Sequence, residues 1–273
     1  MTMKNSNNKA KNINRLYLLD TIRGLAIIGM IFIHVSYDLP VYFNFIPQYL
    51  YSTWYEVFSQ CVRITFIFLS GYCAMMGAKT LKRGLIVSAA GLLVTLVSFI
   101  ARVDPPIIFG VLTLIGASML LSVPFKKIIN KKNALPVFIV CLLLFVCTLH
   151  LCSGYFGFVW HSFFYYPPAL FRIRNPYLLY PLAFLGIPGY SFASSDYFPL
   201  IPWFFLFMAG FSFYALCGES LKEKKFMRLR IEPLAFLGKY SLYVYLIHQP
   251  LILGIMYLIA FLMLFFQHLD FYH

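Results

Sequence analysis

Seven apolar runs of membrane-spanning length dominate this chain, at roughly 17–37, 53–77, 84–101, 106–124, 134–152, 199–217 and 239–266. A helix needs about 20 mostly apolar residues to cross about 30 Å of hydrocarbon. The expected fold class is therefore all-α: a polytopic membrane helix bundle of seven transmembrane helices. One segment, 176–190, leaves room for an eighth. It lies in the stretch 155–198, which is aromatic and broken by Pro167, Pro168, Pro176, Pro181 and Pro188, and which also holds Trp160 and His161. At that length, and so interrupted, 176–190 reads as a re-entrant segment or an interfacial cap.

Composition sharpens the exclusions. Hydrophobic residues make up 61% of the chain and charged residues 11%, against about 45–50% and about 25% in soluble domains. A soluble globular enzyme, a disordered protein and a nucleic-acid-binding module are all excluded, and no nucleic-acid partner is expected. The 273 residues suit one membrane domain over 16–266, between a polar cytoplasmic tail at 1–15 and a short outer tail at 267–273. The first run carries Asp20 and Arg23 and has no small-residue exit site, so no cleavable signal peptide is expected. Six cysteines, none in C-x-x-C spacing, read as small buried hydrophobes.

The net charge of +13 is a topology signal. With the N-terminus in the cytoplasm, seventeen Lys and Arg fall in inner segments: Lys4, Lys9, Lys11 and Arg15; Lys79, Lys82 and Arg83; Lys126, Lys127, Lys131 and Lys132; and Lys222, Lys224, Lys225, Arg228, Arg230 and Lys239. Outer segments hold three, Arg102, Arg172 and Arg174. That bias follows the positive-inside rule and fits seven spans in a plasma membrane. A full crossing by 176–190 would misplace the last basic loop.

Ionisable groups within a span are expensive unless paired or wetted, and the first helix carries four: Asp20, Arg23, His34 and Asp38. On an α-helix they fall within an arc of about 60°. Arg23 and His34 stand eleven residues apart, or about 16 Å along the axis. One stripe thus carries an Asp–Arg pair low and a His–Asp pair, i and i+4, high, and it should line a wet cavity. The low pair equally reads as an interfacial ion pair locking helices together, and His34 as a satisfied buried imidazole.

In the second run Glu56, Gln60 and Arg63 share a face. Arg63 suits Asp20, Asp38 or an anionic ligand as partner, or a structural ion pair. Ser70-Gly71 offers a close-approach surface suited to packing. The last run carries Ser241, Tyr245 and His248 at i, i+4 and i+7, just before Pro250. They form either a site or a hydrogen-bonded packing stripe. There is no Walker A sequence, no G-x-S-x-G and no H-E-x-x-H, and no metal site is expected.

Several of these pieces, taken in order, carry a resemblance. They are Leu19-Asp20-Thr-Ile-Arg23-Gly24, Met30-Ile-Phe-Ile-His34, Phe66-Ile-Phe-Leu-Ser70-Gly71-Tyr72, Lys82-Arg83-Gly84, Phe109-Gly110-Val-Leu, Asp196-Tyr-Phe-Pro199-Leu-Ile-Pro202-Trp203 and Leu237-Gly238-Lys-Tyr-Ser241-Leu-Tyr-Val-Tyr245-Leu-Ile-His248-Gln249-Pro250. Over about 15–250 the chain resembles the transmembrane acyltransferase superfamily. More narrowly it resembles bacterial members related to the heparan-α-glucosaminide N-acetyltransferase catalytic domain. The spacing of Arg23 and His34 is also similar to the Arg-x10-His signature of the O-acyltransferase branch. Two departures stand out. Thr113 occupies a position where the family often has His. The animal lysosomal enzyme has Asn where His34 stands and a His in the next outer loop, whereas loop 37–52 here has none. A base carried over from the family is therefore His34, and the acceptor need not be a hexosamine.

The resemblance implies an acyltransferase that moves an acyl group from cytoplasmic acetyl-CoA, or another acyl-CoA, to an extracytoplasmic glycan or glycolipid. His34 is expected as general base or transient acyl carrier, since an imidazole titrates near neutrality. Asp38 would orient His34 or the acceptor. Arg23 and Arg63 would hold the anionic donor near the cytoplasmic mouth, beside Asp20. Ser241, Tyr245 and His248 would line the same cavity. Two other classes use the same residues: a transporter running a proton or anion along the stripe, and a non-catalytic packing protein. Membrane lipid is the surrounding partner. The sequence leaves open N- versus O-acylation, acyl length and whether the chain forms a homo-oligomer.

Overall fold

The structure is a computed structural model that describes residues 16–43, 45–158 and 161–270. The tail 1–15 with Lys4, Lys9, Lys11 and Arg15, the end of the outer tail at 271–273, Trp160 and the side chain of His161 lie outside the described residues.

The chain is a predominantly helical membrane protein. Among the described residues, six helices are long and apolar enough to cross a bilayer: Tyr17–Pro40, Thr53–Met76, Thr80–Ile100, Ala134–Ser153, Leu200–Lys222 and Ser241–Met263. Their outer faces are greasy, with Leu92, Leu96, Ile100, Ile247, Leu251 and Phe261 all more than half exposed. Apolar side chains on the outside suit hydrocarbon as solvent. The helices are α1 (Tyr17–Phe43), α2 (Thr53–Met76), α3 (Thr80–Ile100), α4 (Val111–Ser122), α5 (Ala134–Thr148), α6 (Pro176–Leu185), α7 (Leu200–Phe213), α8 (Glu232–Lys239) and α9 (Ser241–Asp270). A π-turn at Tyr214–Gly218 and a short helix, Glu219–Lys222, extend α7. The chain divides into two compact units, 1–66 with 222–273, and 67–221.

In the first unit α1 is the centre. Gly24 and Gly238 make a reciprocal crossing between α1 and α8. A Cβ on Gly24 would lie 1.9 Å from the Leu234 carbonyl oxygen, and one on Gly238 would lie 1.8 Å from the Asp20 carbonyl oxygen. Only bare backbone lets two helices approach this closely. Thr21 Oγ1 accepts from the Ile231 N–H at 3.4 Å, and the Arg230 guanidinium sits 4.6 Å above the Tyr17 ring. The N-terminal half of α2 packs on α1 at Gly29, which meets Val62 and Phe58. α9 follows α8 after the single residue Tyr240.

In the second unit the same device recurs. A Cβ on Gly71 would lie 1.9 Å from the Phe207 carbonyl oxygen, and one on Gly210 would lie 2.0 Å from that of Phe68. The expected packing role of Ser70-Gly71 thus has a physical basis in the α2–α7 crossing. Lys126 closes the C-terminal end of α2, donating to the carbonyls of Ala74 and Gly77 and to Thr80 Oγ1.

The fourth expected span, 106–124, is helical only over its twelve-residue core, α4. Twelve residues rise about 18 Å, short of about 30 Å of hydrocarbon. Pro105 and Pro106 supply the reason, because each lacks an N–H and biases its predecessor away from helix. The chain before α4 is instead non-helical, and Phe109 takes a left-handed φ of 57°. Irregular backbone is tolerated at membrane depth only where protein satisfies it, and here it is satisfied. Ile107 N–H donates to Ser98 Oγ at 3.0 Å. Ile108 N–H donates to Ser194 Oγ at 2.9 Å. The Phe109 carbonyl accepts from Phe198 N–H at 2.9 Å. α4 runs antiparallel to α3, with Gly91 against Thr113 and Gly116 against Ser88. Segments 105–109 and 194–198 therefore meet at one end of this unit, and Lys126 meets 74–80 at the other.

Segment 155–198 holds structure the apolar pattern does not announce. Strands β1 (Tyr155–Phe158) and β2 (His161–Tyr165) pair antiparallel, with a register shift between Phe156 and Gly157. α6 is ten residues long, or about 15 Å, half the depth of the hydrocarbon. Asn175 caps it by accepting from Tyr177 N–H at 3.0 Å, Pro176 takes the first position, and Gly186 ends it with φ 115°. All six cysteines are free, and Cys61, expected inside, is exposed on α2.

Candidate functional site

All of the expected site residues fall in the first unit, on α1, α2 and α9. The low pair forms as its spacing dictates. Arg23 Nη1 lies 3.4 Å from Asp20 Oδ1 and 3.5 Å from the Gly238 carbonyl oxygen. Both side chains are mostly buried, at 18% and 13% exposure. The guanidinium thereby ties α1 to α8 beside the Gly24–Gly238 crossing.

The high end brings α1 and α9 together. His34 and His248 meet edge to face, with ring centres 4.8 Å apart and planes at 83°. Each ring is pinned by its own helix. His34 Nδ1 lies 2.9 Å from the Met30 carbonyl oxygen, and His248 Nδ1 bonds to the Tyr245 carbonyl. A carbonyl only accepts, so both Nδ1 atoms carry a proton, and in the neutral ring each Nε2 holds a bare lone pair. His248 Nε2 is fully buried and has no partner among the described residues.

Sequence spacing pairs Asp38 with His34, and in the structure each side chain also has a hydrogen-bond partner of its own. The backbone of Met30 holds His34, and Asp38 Oδ2 accepts from Gln249 Nε2 at 2.9 Å. The residue that sequence reasoning passed over is Gln249. Its signal was a primary amide inside a membrane helix, next to a histidine. Its Oε1 is buried with no partner among the described residues.

Of the other expected residues, Tyr245 touches this cluster. Tyr245 is buried, with its ring 5.1 Å from that of His248. Ser241 is half-buried at the start of α9. Arg63 is half-buried, and its Nε donates to the Ser59 carbonyl oxygen of its own helix at 3.2 Å. Asp20 and Asp38, the two carboxylates proposed for Arg63, are engaged by Arg23 and Gln249 instead. Glu56 is exposed. An aromatic collar of Phe32, Tyr49, Tyr55 and Phe58 surrounds the upper part of α1, with Ser36 Oγ 3.0 Å from the Tyr49 hydroxyl. Among the described residues no group of three or more His, Cys, Asp or Glu side chains could hold a metal ion.

The chemistry of the cluster is one-sided. His34 Nε2, His248 Nε2, Gln249 Oε1 and the Asp38 carboxylate are all acceptors. A group of such acceptors complements a molecule rich in O–H or N–H groups.

A multi-pass helical membrane protein whose first and last long helices bring a half-buried His34 against a buried His248 is the class that fold and site define. Residues 15–250 match the family model described as heparan-alpha-glucosaminide N-acetyltransferase, catalytic, and the chain belongs to that family. Comparison with curated proteins and with solved structures finds no match. Family membership carries a membrane acetyltransferase-like function, with an acyl-CoA donor and a glycan acceptor as its general substrate classes. The transporter alternative gains no support from it.

Proposed function

We propose that the chain transfers an acetyl group from cytoplasmic acetyl-CoA to a hydroxyl or amine of an envelope glycan or glycolipid outside the plasma membrane, with the N-terminus inside. The observation that carries this reading is the tautomer of His34: Nδ1 is fixed on Met30, and Nε2 is left open beside His248. In the reaction, His34 Nε2 takes the proton of the acceptor O–H or N–H as that atom attacks the thioester carbonyl. The C–S bond breaks, and the imidazolium returns its proton to the departing thiolate. The products are the acetylated acceptor and free CoA. General-base help of this kind contributes about 10²–10⁴-fold.

The bare acceptors His34 Nε2, His248 Nε2 and Gln249 Oε1 support a polyhydroxylated partner, because each gains a hydrogen bond when a sugar hydroxyl approaches. Asp38 and Gln249 act as positioning residues that hold α9 against α1 and keep the two imidazoles facing. Ser241 and Tyr245 line the approach. Among the described residues Arg63 bonds only through Nε, which leaves its terminal nitrogens for donor phosphates. Arg23, braced by Asp20, adds positive charge on the inner side, where the basic segments gather.

Mass spectrometry of envelope glycans, from cells with and without the chain, should show an acetyl mass that depends on it. His34→Ala should remove that mass while the purified variant keeps its elution volume and melting temperature. A variant that acetylates at near-normal rate would refute the assignment of the base.

A further inference from the structure

We infer that the second unit carries a separate binding site for an anionic saccharide, formed by Arg172, Arg174, Tyr190 and Ser191 around a cavity of about 430 Å³ with Phe171 in its wall. Its outward placement rests on the orientation proposed above; the binding itself does not.

The cavity has a built floor. Tyr190 N–H donates to the Phe171 carbonyl oxygen at 2.7 Å, and Ser191 Oγ donates to that of Ile173 at 3.4 Å. At Gly189 a Cβ would come within 3.0 Å of the Ile173 carbonyl oxygen and 2.6 Å of a Leu179 methyl. Two strips of chain are thus laced side by side, and their side chains form the rim. The Tyr190 ring is 77% exposed and rests 5.8 Å from the buried Phe171 ring. An exposed aromatic backed by a second ring is a rigid, amphipathic platform, suited to the apolar face of a sugar.

Charge supplies the second half of the argument. Arg172 and Arg174 are two of only three basic residues in the outer segments, where the topology disfavours them. Both line this one cavity. Among the described residues neither has an ion pair or hydrogen bond, and no carboxylate lines the cavity with them. Two unspent guanidinium forks over one concavity match a carboxylate or phosphate. The volume lies within the range of about 300–1,000 Å³ typical of small-molecule sites.

The test is a binding titration of the full chain in phosphatidylcholine nanodiscs with glucuronate, glucose 6-phosphate, glucose and inorganic phosphate. Glucuronate or glucose 6-phosphate should bind, with glucose and inorganic phosphate each about tenfold weaker or more. The pair Arg172→Gln and Arg174→Gln should weaken binding by about tenfold or more, while Arg102→Gln, away from the cavity, should leave it unchanged. Unchanged melting of all variants keeps the comparison fair, and Tyr190→Ala should weaken the sugars without weakening inorganic phosphate. Absence of sugar binding, or binding indifferent to both arginines, overturns the inference. So does displacement of the sugars in phosphatidylglycerol nanodiscs, which would make the occupant a lipid headgroup. No acyl donor enters the experiment, so loss of this site and loss of the transferase reading are separate results.

Discussion

At the scale of single residues, the site depends on polar atoms that lipid cannot satisfy. The contact between Gln249 Nε2 and Asp38 Oδ2 is the clearest case. Gln249→Leu leaves the carboxylate without its donor, and loss of a hydrogen bond to a charged group costs about 1–3 kcal/mol. Asp38→Asn keeps an oxygen that can accept from Gln249, so its loss should be smaller. Thermal unfolding of the two purified variants decides the matter, and equal destabilisation would sink the proposed pairing. The stripe of Asp20, Arg23, His34 and Asp38 was visible in the sequence because ionisable residues in an apolar run announce themselves through cost. Their partners were not. Spacing along one helix suggested Asp38 for His34, whereas the atoms that meet them come from a carbonyl one turn back and from a helix more than two hundred residues on. No local pattern encodes that meeting.

At the scale of elements, hydropathy placed the six long helices well, since continuous apolar length is the property the bilayer selects. It placed the fourth expected span less well. Apolar residues at 106–110 read as helix in a hydropathy window, yet Pro105, Pro106 and the left-handed Phe109 hold them out of helix, with Ser98 and Ser194 supplying the missing partners. The strand pair 155–158 and 161–165 escaped notice for a similar reason: strands of four and five residues carry little periodic signal. Helix crossings give the sharpest element-level prediction. Gly24→Ala and Gly238→Ala each drive a methyl into a backbone carbonyl of the facing helix. Neither carbonyl can move without moving its helix, so each substitution should cost about 1–3 kcal/mol or more. Gly254→Ala in α9 meets nothing within 4 Å and should leave melting unchanged. If all three alanines behave alike in detergent, close approach at Gly24 and Gly238 does not hold α1 to α8.

At the scale of the whole molecule, direction of transfer is a question of topology. Seventeen basic residues gather in the segments assigned to the inner side and three in those assigned to the outer side, and a membrane reads that difference as orientation. The second unit turns this into an experiment, because its two ends are structurally distinct. Lys132 follows the turn that brings Lys126 to 74–80 at one end, and Ala193 adjoins the serines that meet 105–109 at the other. Both positions are exposed. In a background without the six native cysteines, Ala193→Cys should react with a membrane-impermeant maleimide on intact cells, and Lys132→Cys only after the membrane is opened. Acetyl-CoA added to sealed vesicles should then be consumed only from the face that carries Lys132. A reversed labelling pattern would put donor and acceptor on the wrong sides for a cytoplasmic thioester. Correct labelling with no consumption of acetyl-CoA would keep the topology and remove the chemistry. The two measurements therefore separate where the chain points from what it does, and only their agreement makes His34 the place where a cytoplasmic acyl group meets an outside sugar.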